Sequence, residues 1–104
     1  MGRRYDKLVR DEIPDIIERN AETPICYRAG EDEYERRLLD KLDEEVAEYR
    51  ENREAEELAD ILEVVHAIRR HEGVTADDLE QLRFEKAEER GRFEDRIVLE
   101  RVES

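Results

Sequence analysis

The stretch from residue 31 to residue 72 contains neither glycine nor proline, so no residue in it breaks a helix. Apolar residues recur there every three or four positions, first over residues 34–49 and again over 58–68. This spacing is typical of helices with one apolar face. Only Ala55 is apolar between the two runs. One continuous helix would leave both apolar faces in water, whereas a turn at residues 51–54 packs them together. The pattern favours an antiparallel hairpin over the continuous helix.

Two further helices are predicted on either side of the hairpin. Isoleucines recur at helical spacing over residues 13–17, with Pro14 in the first turn, a position that proline tolerates. After the hairpin, Thr75 is a suitable N-cap for a helix that runs to about Arg90, and Gly91 ends it. The sequence thus predicts four helices.

Two short segments, residues 25–29 and 96–102, are rich in the residues that favour strands. Because isolated strands are marginal, we expect the two segments to pair as a small two-stranded β-ribbon. The predicted fold is mainly α, an antiparallel bundle of about four helices with this ribbon. At 104 residues the chain is expected to form a single domain, residues 1–104.

The charge balance excludes some classes of partner. The chain has 32 acidic and 19 basic residues and a net charge of -13, which repels nucleic acid. Apart from Lys7, Lys41 and Lys86, every cationic side chain is arginine. A large acidic excess with so little lysine suggests a halophilic protein, in which high salt screens the self-repulsion.

No signal-type apolar region and no apolar run of membrane-spanning length occur in the sequence. Cys26 is the single cysteine, so the chain cannot form an internal disulfide. We expect a cytoplasmic protein that does not associate with membranes.

Acidic residues recur three positions apart in both halves of the hairpin, at Glu45 and Glu48 and at Glu57 and Asp60. Residues at this spacing share a helix face and lie about 4.5 Å apart along the axis. In an antiparallel hairpin centred between residues 52 and 53, residues whose numbers sum to 105 lie opposite each other. Glu48 then faces Glu57 and Glu45 faces Asp60, so that four carboxylates meet.

Four carboxylates at close quarters repel one another unless a cation compensates them. Oxygen ligands of this type suit Mg²⁺, or Mn²⁺, rather than Zn²⁺. Such a metal neutralises phosphate charge and promotes attack by water. Glu44, Glu56 or Glu63 could orient the water as a base, although an acid at any one of these positions is more often a solvated surface residue.

Lys86 and Arg90 lie one turn apart on the last predicted helix, and Gly91 follows them. Two cations at this spacing can hold a phosphate group, and glycine permits close approach of the backbone to an anion. Surface decoration is the alternative for such a pair. The scarcity of lysine and the need of a metal-bound polyphosphate for cationic contacts make phosphate binding an equal alternative to surface decoration.

The motif Glu44-Glu45-x-x-Glu48 followed by Glu56-Glu57-x-x-Asp60 resembles the signature of the all-α nucleoside triphosphate pyrophosphohydrolases. These include MazG, dimeric dUTPases and phosphoribosyl-ATP pyrophosphohydrolase. The segments 7–14 and 86–93 are similar to the small MazG-like, phosphoribosyl-ATP pyrophosphohydrolase-like subgroup.

The resemblance implies an enzyme that hydrolyses a nucleoside triphosphate to the monophosphate and pyrophosphate, as housekeeping of the nucleotide pool. It also implies a homodimer or homotetramer in which a neighbouring subunit completes the site. The residues it assigns to Mg²⁺ are Glu45, Glu48, Glu57 and Asp60, and those it assigns to phosphates are Lys86 and Arg90. Lys7, Arg10 and Asp11 are expected to close the site over the substrate, with a salt-bridged structural N-terminus as the equal alternative.

Two alternatives stay open. A di-iron bundle needs two Glu-x-x-His motifs, and the sequence supplies only Glu63 with His66. An acidic helical module that associates with other chains without catalysis would use the same carboxylates only for solubility. Substitution of Glu57 or Asp60 by alanine separates the second alternative from a metal enzyme, because a pure scaffold should be unharmed or stabilised, whereas a metal enzyme should lose Mg²⁺ binding and turnover.

Overall fold

The protein, here a computed structural model, is described for residues 2–104 and contains four helices in that range. Their bounds are Ile13–Arg19 for α1, Glu31–Asn52 for α2, Ala55–His71 for α3 and Ala76–Arg90 for α4. The prediction of a mainly helical chain with four helices is confirmed. The stretch without glycine or proline forms a hairpin of two helices and not one continuous helix.

The turn of the hairpin consists of two residues. Arg53 adopts the left-handed conformation with φ 58°, and its amide donates to the carbonyl of Tyr49 at 2.8 Å. Glu54 is extended and precedes the first residue of α3. At the far end of the hairpin the ring of Tyr34 meets the ring of His71 edge-on, with centroids 5.3 Å apart. The two helices therefore run antiparallel along most of their length.

The apolar core lies between α2 and α3 and is small. Leu38 and Val64, which are 3% and 8% exposed, are the buried hydrophobic residues of the described chain. Leu39, Leu58 and Leu62 on the same helices are at least half exposed. The hairpin thus leaves a considerable apolar surface in water.

The last helix is bounded as the sequence predicts. The Thr75 hydroxyl oxygen accepts a hydrogen bond from the amide of Asp78 at 3.0 Å, which satisfies one of the free amides of the first turn. Gly91 follows the helix with φ 82°, a conformation that glycine adopts without strain. In the described chain, α4 packs on α3 and makes no comparable contact with α2.

The predicted β-ribbon is not supported. Residues 25–29 and 96–102 form no strand, and their apolar side chains are exposed, 97% for Ile25 and 83% for Ile97. The sequence favours strands in both segments, but they gain nothing by pairing unless an apolar surface covers one face of the ribbon. Within residues 2–104 no element packs over either segment.

The chain is elongated, with extents of 62 × 31 × 25 Å. Its radius of gyration is 18.3 Å, against about 13 Å expected for a compact domain of this length. None of the described helices is both long enough and apolar enough to cross a membrane.

Candidate metal centre

Three of the predicted metal ligands come together between α2 and α3. Glu45, Glu57 and Asp60 each offer a carboxylate oxygen, and the three atoms lie within 4.8 Å of one another. We call these three residues the carboxylate cluster. Glu45 is the buried charged residue of the described chain, at 9% exposure, and the other two are half-buried. The hairpin therefore places three acids where their mutual repulsion is only partly screened by water.

The donor set fits a hard divalent cation. All three donors are carboxylate oxygens, which suit Mg²⁺ or Mn²⁺ and leave further positions for water and phosphate oxygens. Neighbouring ligands of an octahedral Mg²⁺ lie about 3 Å apart, so the three carboxylates would have to draw closer together to hold one ion.

The fourth predicted ligand, Glu48, lies outside the cluster and is exposed. The pairs Tyr34 with His71 and Glu45 with Asp60 match the predicted register, in which the numbers of opposite residues sum to 105. Glu48 nevertheless offers no oxygen to the group of three that meets within 4.8 Å. Glu48 instead lines an open groove with Glu44 and Asn52.

Two cations of the N-terminal segment reach the carboxylates across the fold. The Lys7 ammonium donates to Glu44 at 2.5 Å, and the Arg10 guanidinium donates to Asp60 at 2.8 Å. A third cation, Lys41 of α2, lies 3.3 Å from Glu45 and 3.1 Å from Glu44. Positive charge therefore surrounds the carboxylate cluster on the side of α2 and of the N-terminal segment.

These contacts shift the pKa values of two groups. The hydrogen bond to Glu44 raises the pKa of Lys7, and the charges of Glu44, Glu48 and Glu45 add to this effect against an opposing effect of partial burial. Partial burial acts to raise the pKa of Glu44, but the hydrogen bonds from Lys7 and Lys41 outweigh it and hold that pKa below its usual range. Both groups are charged at neutral pH, which makes Glu44 a weaker base.

The other predicted site residues lie away from the cluster. Glu56 is exposed in the first turn of α3, and Glu63 lies 3.9 Å from Arg70. Lys86 and Arg90 are exposed on α4, and within residues 2–104 neither makes a hydrogen bond or ion pair with the carboxylates. The described chain brings three of the four predicted metal ligands together but does not bring Lys86 and Arg90 to them.

The histidine needed for the di-iron alternative is already engaged. The Nδ1 atom of His66 accepts a hydrogen bond from Arg69 at 2.9 Å. The clustered metal-binding groups found in residues 2–104 are carboxylates alone. The arrangement therefore differs from the Glu and His pattern that such iron sites require.

Sequence reasoning placed Arg10 at the site without a partner and missed Lys41 as a neighbour of the cluster. Lys41 precedes Glu45 by four positions, a helical spacing at which opposite charges meet, so the sequence did contain a signal for it. Arg10 lies 50 positions from Asp60, and no local spacing could have predicted their contact.

Part of the chain is similar to a known protein. A stretch of 44 residues is 50% identical to an uncharacterized protein of Mycolicibacterium smegmatis, and it covers 42% of this chain and 45% of that protein. The chain therefore matches less than half the length of this relative. No protein-family model matches the chain, and no solved structure matches it. Function has to be inferred from the geometry of the site.

Proposed function

We propose that the protein is a Mg²⁺-dependent nucleoside triphosphate pyrophosphohydrolase that converts its substrate and water into a nucleoside monophosphate and pyrophosphate. The observation that carries the proposal is the convergence of Glu45, Glu57 and Asp60 within 4.8 Å. Like charges at this distance repel, and a bound divalent cation would turn the repulsion into coordination. The resemblance of the motifs to the MazG-like enzymes supports the same activity.

The chemistry that Mg²⁺ would supply is neutralisation of the triphosphate charge and stabilisation of the pyrophosphate leaving group. Glu45, Glu57 and Asp60 would hold the ion, with Glu48 as a fourth ligand from the rim of the groove. Mn²⁺ would serve in the same site, because it accepts the same oxygen donors. The protein's own task is then to position the substrate and the attacking water.

Water attacks the α-phosphorus, the bond to the bridging oxygen of the β-phosphate breaks, and pyrophosphate leaves with that oxygen. A carboxylate near the cluster takes the proton of the water. Glu44 and Glu56 flank the metal ligands on α2 and α3 and serve as the candidate bases. Lys7 and Lys41 both donate to Glu44. They keep it ionised at neutral pH, so its carboxylate can accept a hydrogen bond from water.

Cationic side chains would hold the phosphates. Lys7 lies at the rim of the cluster, hydrogen-bonded to Glu44, and could reach a phosphate without a change of backbone. Lys86 and Arg90 would contribute from α4, but they lie apart from the carboxylates of the same chain. We therefore propose that α4 of a second copy supplies them.

Assembly into a homodimer or homotetramer is supported by the shape and surface of the chain. The described core contains only two buried hydrophobic residues, and Leu39, Leu58 and Leu62 are between 50% and 55% exposed. An elongated chain with so small a core gains stability when a second copy covers its apolar face. Light scattering of the purified protein gives the molar mass and tests this assembly directly.

The decisive experiment is a pyrophosphate-release assay over a panel of ordinary, deoxy and damaged nucleoside triphosphates with Mg²⁺ or Mn²⁺. The variant Glu57→Gln removes a cluster carboxylate with little change in shape, and we expect it to abolish turnover. Glu35→Gln is the matched control, because Glu35 is an exposed acid on α2 outside the cluster. Hydrolysis in ¹⁸O-labelled water should place the label in the monophosphate.

The acidic interaction module is the second candidate, and the exposed apolar face favours it. The two candidates differ in their response to metal. A scaffold would show neither metal-dependent stabilisation nor pyrophosphate release with any nucleotide, and Glu57→Gln would simply stabilise it.

In the ¹⁸O experiment, label found in the pyrophosphate instead of the monophosphate would contradict attack at the α-phosphorus.

A further inference from the structure

The ion pair between Arg10 and Asp60 joins two parts of the chain that lie far apart in sequence. Asp60 belongs to the carboxylate cluster, and the Arg10 guanidinium donates to its Oδ1 atom at 2.8 Å. While Asp60 is paired with Arg10, part of its negative charge is neutralised. Arg10 and a metal ion would therefore compete for the same carboxylate. The contact is therefore relevant to metal binding.

The two cations nearest the cluster differ in how firmly they are held. Lys41 is 16% exposed and lies one helical turn before Glu45, so α2 fixes its position. The Arg10 side chain is 56% exposed and its partner Asp60 is 38% exposed. An ion pair this open to solvent is weak. Lys41 is thus a permanent counter-ion, whereas Arg10 can be displaced.

The backbone that carries Arg10 is fixed by contacts outside the cluster. The Arg37 guanidinium of α2 donates to the carbonyl oxygen of Asp6 at 2.6 Å. The carbonyl oxygen of Arg10 itself accepts from the amide of Ile13 at 3.1 Å, at the start of α1. The Arg10 side chain can therefore leave Asp60 without movement of the segment that carries it.

We infer that Arg10 is an exchangeable cation of the site: it neutralises Asp60 before the metal binds, and then donates to the phosphates of the metal-bound substrate. The inference rests on the proposed function. The planar guanidinium suits this second role, because it can donate two parallel hydrogen bonds to a phosphate group. Arg10 is in this sense a substrate-binding residue that also sets the metal affinity of the free protein.

The test uses two probes, Mn²⁺ alone and inorganic pyrophosphate in the presence of saturating Mn²⁺, each titrated by calorimetry into the full chain at low ionic strength. Arg10→Gln removes the competing cation, so Mn²⁺ should bind roughly threefold to tenfold more tightly than to the wild type. Pyrophosphate should bind the same variant roughly tenfold more weakly, because a charge-assisted hydrogen bond is lost.

Two further variants separate this role from a structural one. Arg3→Gln removes an exposed arginine that pairs with Glu22 at 3.1 Å away from the cluster, and it should bind both probes like the wild type. Arg10→Lys keeps the charge but not the planar fork. It should bind Mn²⁺ nearly as the wild type does and bind pyrophosphate more weakly.

Opposite shifts for the two probes are the signature of the exchange. If Arg10→Gln binds Mn²⁺ no more tightly than Arg3→Gln does, the inference is overturned while the proposed function stands. Absence of Mn²⁺ binding in the wild type overturns the proposed function itself, and this inference with it.

Discussion

Replacement of Glu57 by glutamine should change stability in opposite directions with and without metal. Glu57 is the cluster member that forms no ion pair in the described chain; its Oε1 atom accepts a hydrogen bond from Asn52 at 2.9 Å. The glutamine side chain has the same shape and can still accept that hydrogen bond. The substitution therefore removes a charge from the carboxylate cluster and little else.

The expected magnitude follows from the separation of the carboxylates. At 4.8 Å, two like charges repel by about 0.9 kcal/mol in bulk water and by about 3.5 kcal/mol at an effective dielectric constant of 20. Glu57 faces both Glu45 and Asp60, and Lys41 and Arg10 offset part of the repulsion. We expect Glu57→Gln to raise the free energy of unfolding of the metal-free protein by about 1–3 kcal/mol.

Saturating metal should make the wild type more stable than Glu57→Gln. A ligand at one hundred times its dissociation constant stabilises the folded state by about 2.7 kcal/mol, and the variant should lose most of that gain. Thermal and urea unfolding with EDTA and with Mn²⁺, compared with the control Glu35→Gln, measure both effects. Equal stability of Glu57→Gln and Glu35→Gln in EDTA would refute the proposed repulsion, and an unchanged response to Mn²⁺ would refute the metal site.

Three other outcomes are expected from the same structure. Leu38→Ala should lower the free energy of unfolding by about 2–5 kcal/mol, as measured by urea unfolding, whereas Leu39→Ala, at a 54% exposed position, should have a much smaller effect. Because the pKa of Glu44 is lowered on folding, its stabilising contribution is present above its ordinary pKa of 4.5 and is lost as the pH falls through the lower folded value. The stability difference between wild type and Glu44→Gln should therefore disappear on acidification, and a difference that persists at low pH would contradict the ion pairs with Lys7 and Lys41. Molar KCl should raise the melting temperature of a chain with net charge -13 by screening its self-repulsion, and an unchanged melting curve would remove the halophilic interpretation.

The helices could be predicted because their signals are local. The spacing of apolar residues predicts the hairpin, and Thr75 and Gly91 bound α4 in the structure as they do in the sequence. The β-ribbon could not be predicted from local preference. Strands need a partner and a covering surface, and residues 25–29 and 96–102 have neither within the described chain.

The site was predictable only as far as helical spacing reaches. Glu57 and Asp60 lie on one face of α3 because they are three residues apart, and any hairpin brings that face near Glu45. Glu48 has the same spacing from Glu45 but lies outside the cluster, so helical spacing alone does not decide which acids meet. Asparagine tolerates the left-handed conformation better than arginine, yet in the turn Arg53 adopts it. Asn52 ends the helix instead, and its side-chain amide donates to Glu57.

The small core and the carboxylate cluster together make stability depend on ligands. With Leu38 and Val64 as the buried hydrophobic residues of the described chain, hydrophobic burial leaves little surplus over the entropy of folding. Repulsion within the cluster is then large compared with the net free energy of unfolding. A divalent cation, high salt or a second copy each reduces that penalty or adds burial in the folded state. We therefore expect the binding of metal and the folding of the hairpin to be linked, so that a variant with weaker metal binding also loses the metal-dependent rise in melting temperature in the same proportion.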